Sequence, residues 1–188
     1  MLRRLLDRTP AGYRPGATLE QVRRNLGLAA LAGATPGQGA FQTAQGLPVE
    51  VVERVESQWL MHLVMTEFSV RAPASQQCEL PLQLRHSGAL RRTGVVCVGA
   101  GSKTGWGAEV KRALEQDQAL RTLLMPLDFK RLQLHARQGE WRITLEHMGA
   151  SEVVNRLPAF RRYVRLDDVQ RPLLLAALAG LQRCLAAV

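Results

Sequence analysis

The residues with the clearest chemical potential form a valine-rich run that ends in glycines, Val95–Gly107. A strand, a glycine turn and a helix in this order can bring backbone amides against a phosphate, because a helix N-terminus carries a positive partial charge. The turn contains Gly99, Gly101 and Gly105, with Lys103 between the last two. These four residues are the candidate cofactor-binding site. The competing interpretation is a turn in which the glycines only allow the backbone geometry.

The glycine spacing G-x-G-x-x-x-G resembles the dinucleotide-binding turn of Rossmann-type dehydrogenases over about a dozen residues. This resemblance implies a dinucleotide-binding enzyme. A Rossmann domain places another strand and an acidic ribose ligand soon after the helix, whereas here the helix leads through Pro126 and Asp128 into a predicted antiparallel hairpin. The lysine motif of P-loop proteins requires a glycine directly before the lysine, and Ser102 stands there. The dinucleotide-binding enzyme is therefore the third functional hypothesis, and no cofactor is assigned.

A second candidate site is the basic and aromatic segment Phe160–Arg165. Arginines interleaved with aromatic rings are typical of proteins that bind single-stranded nucleic acid, since the cations contact phosphates and the rings stack on bases. The candidate nucleic-acid-binding residues are Arg161, Arg162, Tyr163 and Arg165. The alternative is a sheet edge whose apolar residues face the core and whose arginines face solvent.

The remaining reactive side chains do not form a recognisable catalytic or metal site. The four histidines are scattered, and the hairpin predicted below puts His135 and His147 on opposite faces. The three cysteines lack Cys-x-x-Cys spacing, which argues against a zinc site and a disulfide framework. We assign no catalytic residue and no metal. The sequence favours a non-catalytic protein and leaves an enzyme open.

The composition is that of a globular chain with a strong basic excess. The chain has 188 residues, and 25 basic against 16 acidic residues give a net charge of +9. This charge suits nucleic acid or other acidic partners, and it also fits arginines spread over a solvated surface. Reduced cysteines in a bacterial-type protein favour the cytoplasm, and the alternative is export through a twin-arginine-like segment, Arg23–Ala34. No apolar segment reaches the ~20 residues needed for a transmembrane helix.

The pattern of apolar residues and breakers predicts the order of the elements. Residues 1–17 are expected to be a mobile basic leader, and residues 18–188 a single α+β domain. The predicted helices run from an N-cap at Thr18 to Ala34, over 107–124, and from Asp167 or Asp168 to Ala187. The predicted strands cover 40–44, 48–56, 60–71 and 80–86, and a helix that begins at Pro48 is the rival for the second of them.

A β-hairpin around the two-residue turn Gln138-Gly139 is the most strongly specified element. This turn sets Leu132 opposite Leu145, Leu134 opposite Ile143 and Ala136 opposite Trp141 on one face. On the other face it sets Arg131 opposite Glu146. A slip by one residue would destroy both the apolar and the charged matches. The sequence therefore predicts a single register.

The predicted fold is α+β, with a mainly antiparallel sheet packed against two or three helices, including a long apolar C-terminal helix. Such a sheet can enclose an apolar ligand, with Met61, Met65 and Met125 as candidate lining residues, or it can bury its free edge in a homodimer. The leading hypothesis is a small bacterial-type domain that acts as a non-catalytic ligand-binding or protein-assembly module. Its partner would be a small apolar ligand or another copy of the chain. A nucleic-acid-binding protein is the second hypothesis.

Overall fold

The computed structural model describes residues 12–31, 35–88 and 91–188. Residues 1–11 of the predicted leader, and the Ala32-Gly33-Ala34 end of the twin-arginine-like segment, lie outside these ranges. In chain order the described elements are α1 (Ala17–Leu26), β1 (Ala29–Ala30), β2 (Gln38–Gln42), β3 (Pro48–Ser57), β4 (Met61–Pro73), β5 (Leu80–Ser87), β6 (Gly94–Val98), α2 (Gly105–Gln116), α3 (Gln118–Leu124), β7 (Phe129–Arg137), β8 (Glu140–His147), β9 (Ser151–Arg156), β10 (Ala159–Val164) and α4 (Gln170–Ala186).

The fold class is α+β with an antiparallel sheet, as predicted. β2 pairs antiparallel with β1 and β3, and β5 pairs antiparallel with β6 and β7. β9 pairs antiparallel with β10 and with the first residues of β4. None of the helices within the described ranges is long and apolar enough to cross a membrane.

The described residues group into two compact units. The first contains the residues up to Glu67 together with His147–Leu166, and the second contains Phe68–Glu146 together with Asp167–Val188. Accordingly α1, β1 to β3, β9 and β10 belong to the first unit, whereas β5 to β7 and α2 to α4 belong to the second. The strand β4 leads from the first unit into the second.

In the first unit, a carboxylate of β3 holds the N-terminus of α1. Gly16 N and Leu19 N donate to the two carboxylate oxygens of Glu53 at 2.9 and 2.7 Å, and the Tyr13 hydroxyl donates to the same side chain at 2.7 Å. The first amides of a helix lack hydrogen-bond acceptors inside the helix, and this carboxylate provides acceptors for them. The prediction that Thr18 is the N-cap was wrong, because Gly16 occupies that position.

The predicted extension of α1 to Ala34 was also wrong. The helix ends at Leu26, and Gly27 adopts a left-handed conformation with φ of +63°. Glycine favours this conformation, and a left-handed residue ends a helix. Ala29–Ala30 then form β1 instead of a further helical turn. The helical spacing of the alanines was a weaker signal than the glycine.

The segment that begins at Pro48 is a strand, so the rival helix was wrong. Val49 and Val51 are buried in β3, in the alternation of a strand. In β4 the successive residues Val64 and Met65 are both fully buried, which confirms a strand covered on both faces. The sequence indicated this burial because apolar residues occupy both odd-numbered and even-numbered positions of the strand.

In the second unit, the predicted hairpin is present with its two-residue turn. Gln138 and Gly139 have φ of +54° and +78°, the positive values that a type I′ turn requires. All six residues predicted for its apolar face are fully buried: Leu132, Leu134, Ala136, Trp141, Ile143 and Leu145. On the other face, Arg131 Nη1 lies 3.9 Å from Glu146 Oε2, as the register predicts.

The single helix predicted over 107–124 is divided at Asp117. The Asp117 side chain accepts a hydrogen bond from Leu120 N at 2.9 Å and so caps α3 as a separate helix. The C-terminal helix α4 begins at Gln170, where Asp167 Oδ1 accepts from the amides of Val169 and Gln170. The helix therefore begins two or three residues later than predicted, and Asp167 accepts hydrogen bonds from amides at its start.

Candidate functional site

The glycine run joins β6 to α2 in the second unit, and two of its glycines allow close backbone packing. A Cβ on Gly99 would lie 2.4 Å from the carbonyl oxygen of Pro81, and a Cβ on Gly107 would lie 2.0 Å from that of Gly101. Both distances are far inside van der Waals contact. Gly101 and Gly105 have φ of +83° and +56°, which favour glycine for a different reason. The run therefore has a structural role at each of these positions.

The helix α2 is joined to β6 by a side chain. Cys97 N in β6 donates to Glu115 Oε1 in α2 at 2.8 Å, so the carboxylate satisfies a backbone amide of this outer strand. Cys97 itself is fully buried, and burial, reinforced by the Glu115 carboxylate, raises the pKa of its thiol to about 11. Such a thiol stays protonated at neutral pH and is a poor nucleophile.

A cavity of about 340 Å³ opens beside the segment that joins β6 to α2. Its lining residues come from this segment and from one face of α2, on which positions three or four residues apart are neighbours. They are Ser102, Lys103, Ala108, Lys111, Arg112, Glu115 and Gln116. Two of the three lysines of the chain are therefore at this cavity.

The charges around the cavity are mainly positive. Three cations, Lys103, Lys111 and Arg112, line the cavity together with one carboxylate, that of Glu115. This carboxylate already accepts a hydrogen bond from the amide of Cys97. Lys111 Nζ lies 3.9 Å from that carboxylate. The first turn of α2 contains no acidic residue, so nothing there offsets the positive end of the helix dipole. The arrangement favours an anionic ligand.

The sequence located this site in part. Lys103 lines the cavity, whereas Gly99, Gly101 and Gly105 shape the backbone that carries it. Lys111 and Arg112 were missed. Lys103 precedes α2, so helical spacing does not relate it to these two residues. The available signal was the spacing of three or four residues between Ala108, Lys111, Arg112 and Glu115, and it depends on knowing that α2 begins at Gly105.

The second predicted site lies on β10, where neighbouring side chains point to opposite faces. Arg161 and Tyr163 share one face, Arg162 lies on the other, and Arg165 follows the end of the strand. Arg161 donates to both carboxylate oxygens of Glu152 at 2.9 and 2.7 Å. The Tyr163 hydroxyl is buried, and burial raises its pKa to about 12. The four residues thus do not converge on one surface.

The histidines lie at separate places in the fold. His62 is fully buried in β4, and His135 Nε2 lies 3.0 Å from Glu79 Oε1 on the polar side of β7. Within the described ranges, no three His, Cys, Asp or Glu side chains form a group that could hold a metal ion.

Fold and site together define a small α+β protein with a basic cavity beside a glycine-rich strand-to-helix turn. Residues 24–185 match the family described as protein of unknown function (DUF3156). Because the match spans most of the chain, the protein belongs to this family. No curated protein and no solved structure matches the chain.

Proposed function

We propose that the protein is a non-catalytic module that binds a small anionic ligand, with a phosphate ester as the preferred class, in the cavity beside α2. The supporting observation is the convergence of Lys103, Lys111 and Arg112 on one cavity. A phosphate ester carries up to two charges, which match the excess of two cations over the Glu115 carboxylate.

The size of the cavity suits this ligand class. Sites for small molecules usually occupy about 300–1,000 Å³, and the cavity lies at the lower end of this range. The arginine supplies a planar fork that can contact two oxygens of a phosphate, whereas the two lysines act as point charges. The ligand is therefore expected to be small and to interact mainly through its anionic group.

The cavity chemistry supports binding more than catalysis. The Ser102 hydroxyl donates its proton to Gly99 O at 2.9 Å, and the nearest buried thiol, that of Cys97, has a raised pKa. A nucleophile requires an adjacent base, and the described lining residues contain no histidine. The cations can orient and neutralise an anion without a chemical step.

Titration calorimetry with three phosphate monoesters, glycerol phosphate, phosphoserine and AMP, tests the proposal. We expect at least one of these probes to bind, and Lys111→Gln or Arg112→Gln to weaken its affinity by about tenfold, since hydrogen bonds to charged groups contribute about 1.5–3 kcal/mol. Arg183→Gln removes the same charge from an exposed position of α4 and serves as the matched control. Its affinity should stay within about twofold of the wild type.

Two results would contradict this function. In the first, all three probes bind, and their affinity falls equally in Lys111→Gln, Arg112→Gln and Arg183→Gln. Equal losses would indicate a general effect of net charge. The other is failure of every probe to bind while single-stranded DNA binds in a manner sensitive to Arg162→Gln. That result would favour the nucleic-acid hypothesis.

A further inference from the structure

Four long apolar side chains are exposed at two hairpin tips of the first unit. Trp59 and Leu60, between β3 and β4, have exposed fractions of 91% and 49%. Leu157 and Phe160, at the turn between β9 and β10, have exposed fractions of 75% and 46%. We call these four residues the apolar rim. Single exposed apolar residues are ordinary, but a contiguous group marks an interaction surface.

The strand register brings the two tips together. Asn155 of β9 is the Cα partner of Met61 in β4 and also of Phe160 in β10. Neighbouring strands are about 4.8 Å apart, so the tip before Met61 and the tip before Phe160 lie side by side at one end of the sheet. The first tip is closed by a hydrogen bond from Gln58 N to Met61 O at 2.8 Å. The backbone therefore fixes the position of the apolar rim.

Taken together, the two tip segments that carry the apolar rim contain cations and no carboxylate; the nearest carboxylate before the first tip is Glu56. The segments Gln58–Met61 and Leu157–Arg165 contain no Asp or Glu. Arg162 is exposed and lies two residues after Phe160, on the same face of β10. The whole chain carries a net charge of +9. An apolar rim beside cations complements a surface that offers both acyl chains and anionic headgroups.

The area of the apolar rim favours a lipid surface over a second copy of the chain. Aromatic side chains bury ~150–250 Å² each and leucines less, so the exposed parts of these four sum to at most roughly 500 Å². A stable protein interface needs about 800 Å² from each partner. Insertion of two loop tips has no such requirement, and tryptophan is the residue that favours the boundary between headgroups and acyl chains.

We propose that the first unit docks through the apolar rim onto an anionic lipid surface. Trp59 and Leu157 would insert between the lipids, and Arg162 would lie against headgroup phosphates. The proposal concerns residues of the first unit and does not depend on the anion cavity of the second.

Co-sedimentation of the full-length protein with vesicles tests this docking. One set of vesicles contains equal parts of phosphatidylglycerol and phosphatidylethanolamine, and the other contains phosphatidylcholine alone. We expect sedimentation with the anionic vesicles and much less with the neutral ones. Lipids brominated in their acyl chains should quench part of the tryptophan fluorescence of the wild type. This quenching should be lost in Trp59→Phe, which keeps an apolar ring and still sediments.

Substitutions separate the apolar and the electrostatic parts of the docking. Trp59→Ser and Leu157→Ser should each lower the partition coefficient by about tenfold, because each removes a large inserted side chain. Arg162→Gln should lower it by about fivefold, the effect of one basic residue near an anionic surface. Val169→Ser changes an apolar residue that is 63% exposed elsewhere, and its partition should change by less than about twofold. Circular dichroism confirms that each variant is folded.

The following results would overturn the proposal: equal binding to both kinds of vesicle, no binding to either, or an unchanged partition of folded Trp59→Ser. Dimerisation without lipid that is lost in Trp59→Ser would assign the apolar rim to a second copy of the chain. DNA binding that is lost in Arg162→Gln, without vesicle binding, would assign Arg162 to nucleic acid.

Discussion

Arg161 illustrates how the partner of a charged side chain determines its role. In the sequence it belongs to a basic and aromatic segment typical of nucleic-acid contacts. In the structure it forms two hydrogen bonds with Glu152, which also accepts the Thr18 hydroxyl at 3.2 Å. The Glu152 side chain is only 14% exposed, and the bonds from Arg161 lower its pKa below the usual value of 4.5. The pair joins β10 to β9 and, through Thr18, to α1.

The lowered pKa of Glu152 predicts an acid-dependent contribution to stability. A carboxyl group whose pKa is lower in the folded state stabilises that state fully above its unfolded pKa, and the contribution is lost as the pH falls through the folded value. Glu152→Gln should therefore lower the free energy of unfolding at pH 7 by about 1–3 kcal/mol. The difference in unfolding free energy between Glu152→Gln and the wild type should become smaller below a pH of about 4.5. Urea unfolding across this pH range measures it.

Glu109→Gln provides the comparison, because Glu109 is an exposed carboxylate of α2. Its unfolding free energy at pH 7 should lie within about 0.5 kcal/mol of the wild type, as is usual for an exposed position. A gap between Glu152→Gln and the wild type that stays constant down to low pH would show that Glu152 acts through packing and not through its charge.

The elements that the sequence predicts best are those for which independent signals agree. The hairpin was found because a turn that demands positive φ, an apolar face and a charged pair all require one register. β10 was predicted only as a sheet edge in the alternative for Phe160–Arg165, because five of its six residues are exposed and show no alternation of apolar and polar residues. The break at Asp117 was missed because the apolar spacing continues on both sides of it. At the candidate site, Lys103 could be predicted because it stands beside the glycines. Lys111 and Arg112 could not, because their prediction requires knowing which face of α2 lines the cavity.

Two helical glycines in the second unit are expected to respond in opposite ways to substitution by alanine. Alanine normally stabilises a helix by about 0.5–1 kcal/mol relative to glycine. At Gly180 in α4 the new Cβ would lie 3.4 Å from Leu120 Cδ1, an ordinary contact, so Gly180→Ala should raise the melting temperature. At Gly107 it would lie 2.0 Å from the backbone oxygen of Gly101, so Gly107→Ala should lower it. Thermal melts of both variants test this, and a stabilised Gly107→Ala would contradict the packing of the turn on α2.

At the scale of the whole molecule, the path of the chain through the two units is informative. The chain passes between the units after Glu67, after Glu146 and after Leu166. The first two of these points lie inside the strands β4 and β8. A strand is ordered by hydrogen bonds along its length, so disorder on one side of such a point removes order from the other. We therefore propose that the units unfold together, as the single domain expected from the sequence would.

Trp141→Ala tests this cooperativity, because Trp141 is fully buried in the second unit. Removal of a buried tryptophan side chain costs about 3–5 kcal/mol. If the units unfold together, peptides around Val64 and Val154, both buried in the first unit, should lose protection in hydrogen-exchange mass spectrometry. Trp59→Ala is the matched control, since that side chain is 91% exposed and its loss should change stability by less than about 0.5 kcal/mol. If the first-unit peptides of Trp141→Ala kept wild-type protection, the two units would be independent folding units joined by continuous strands.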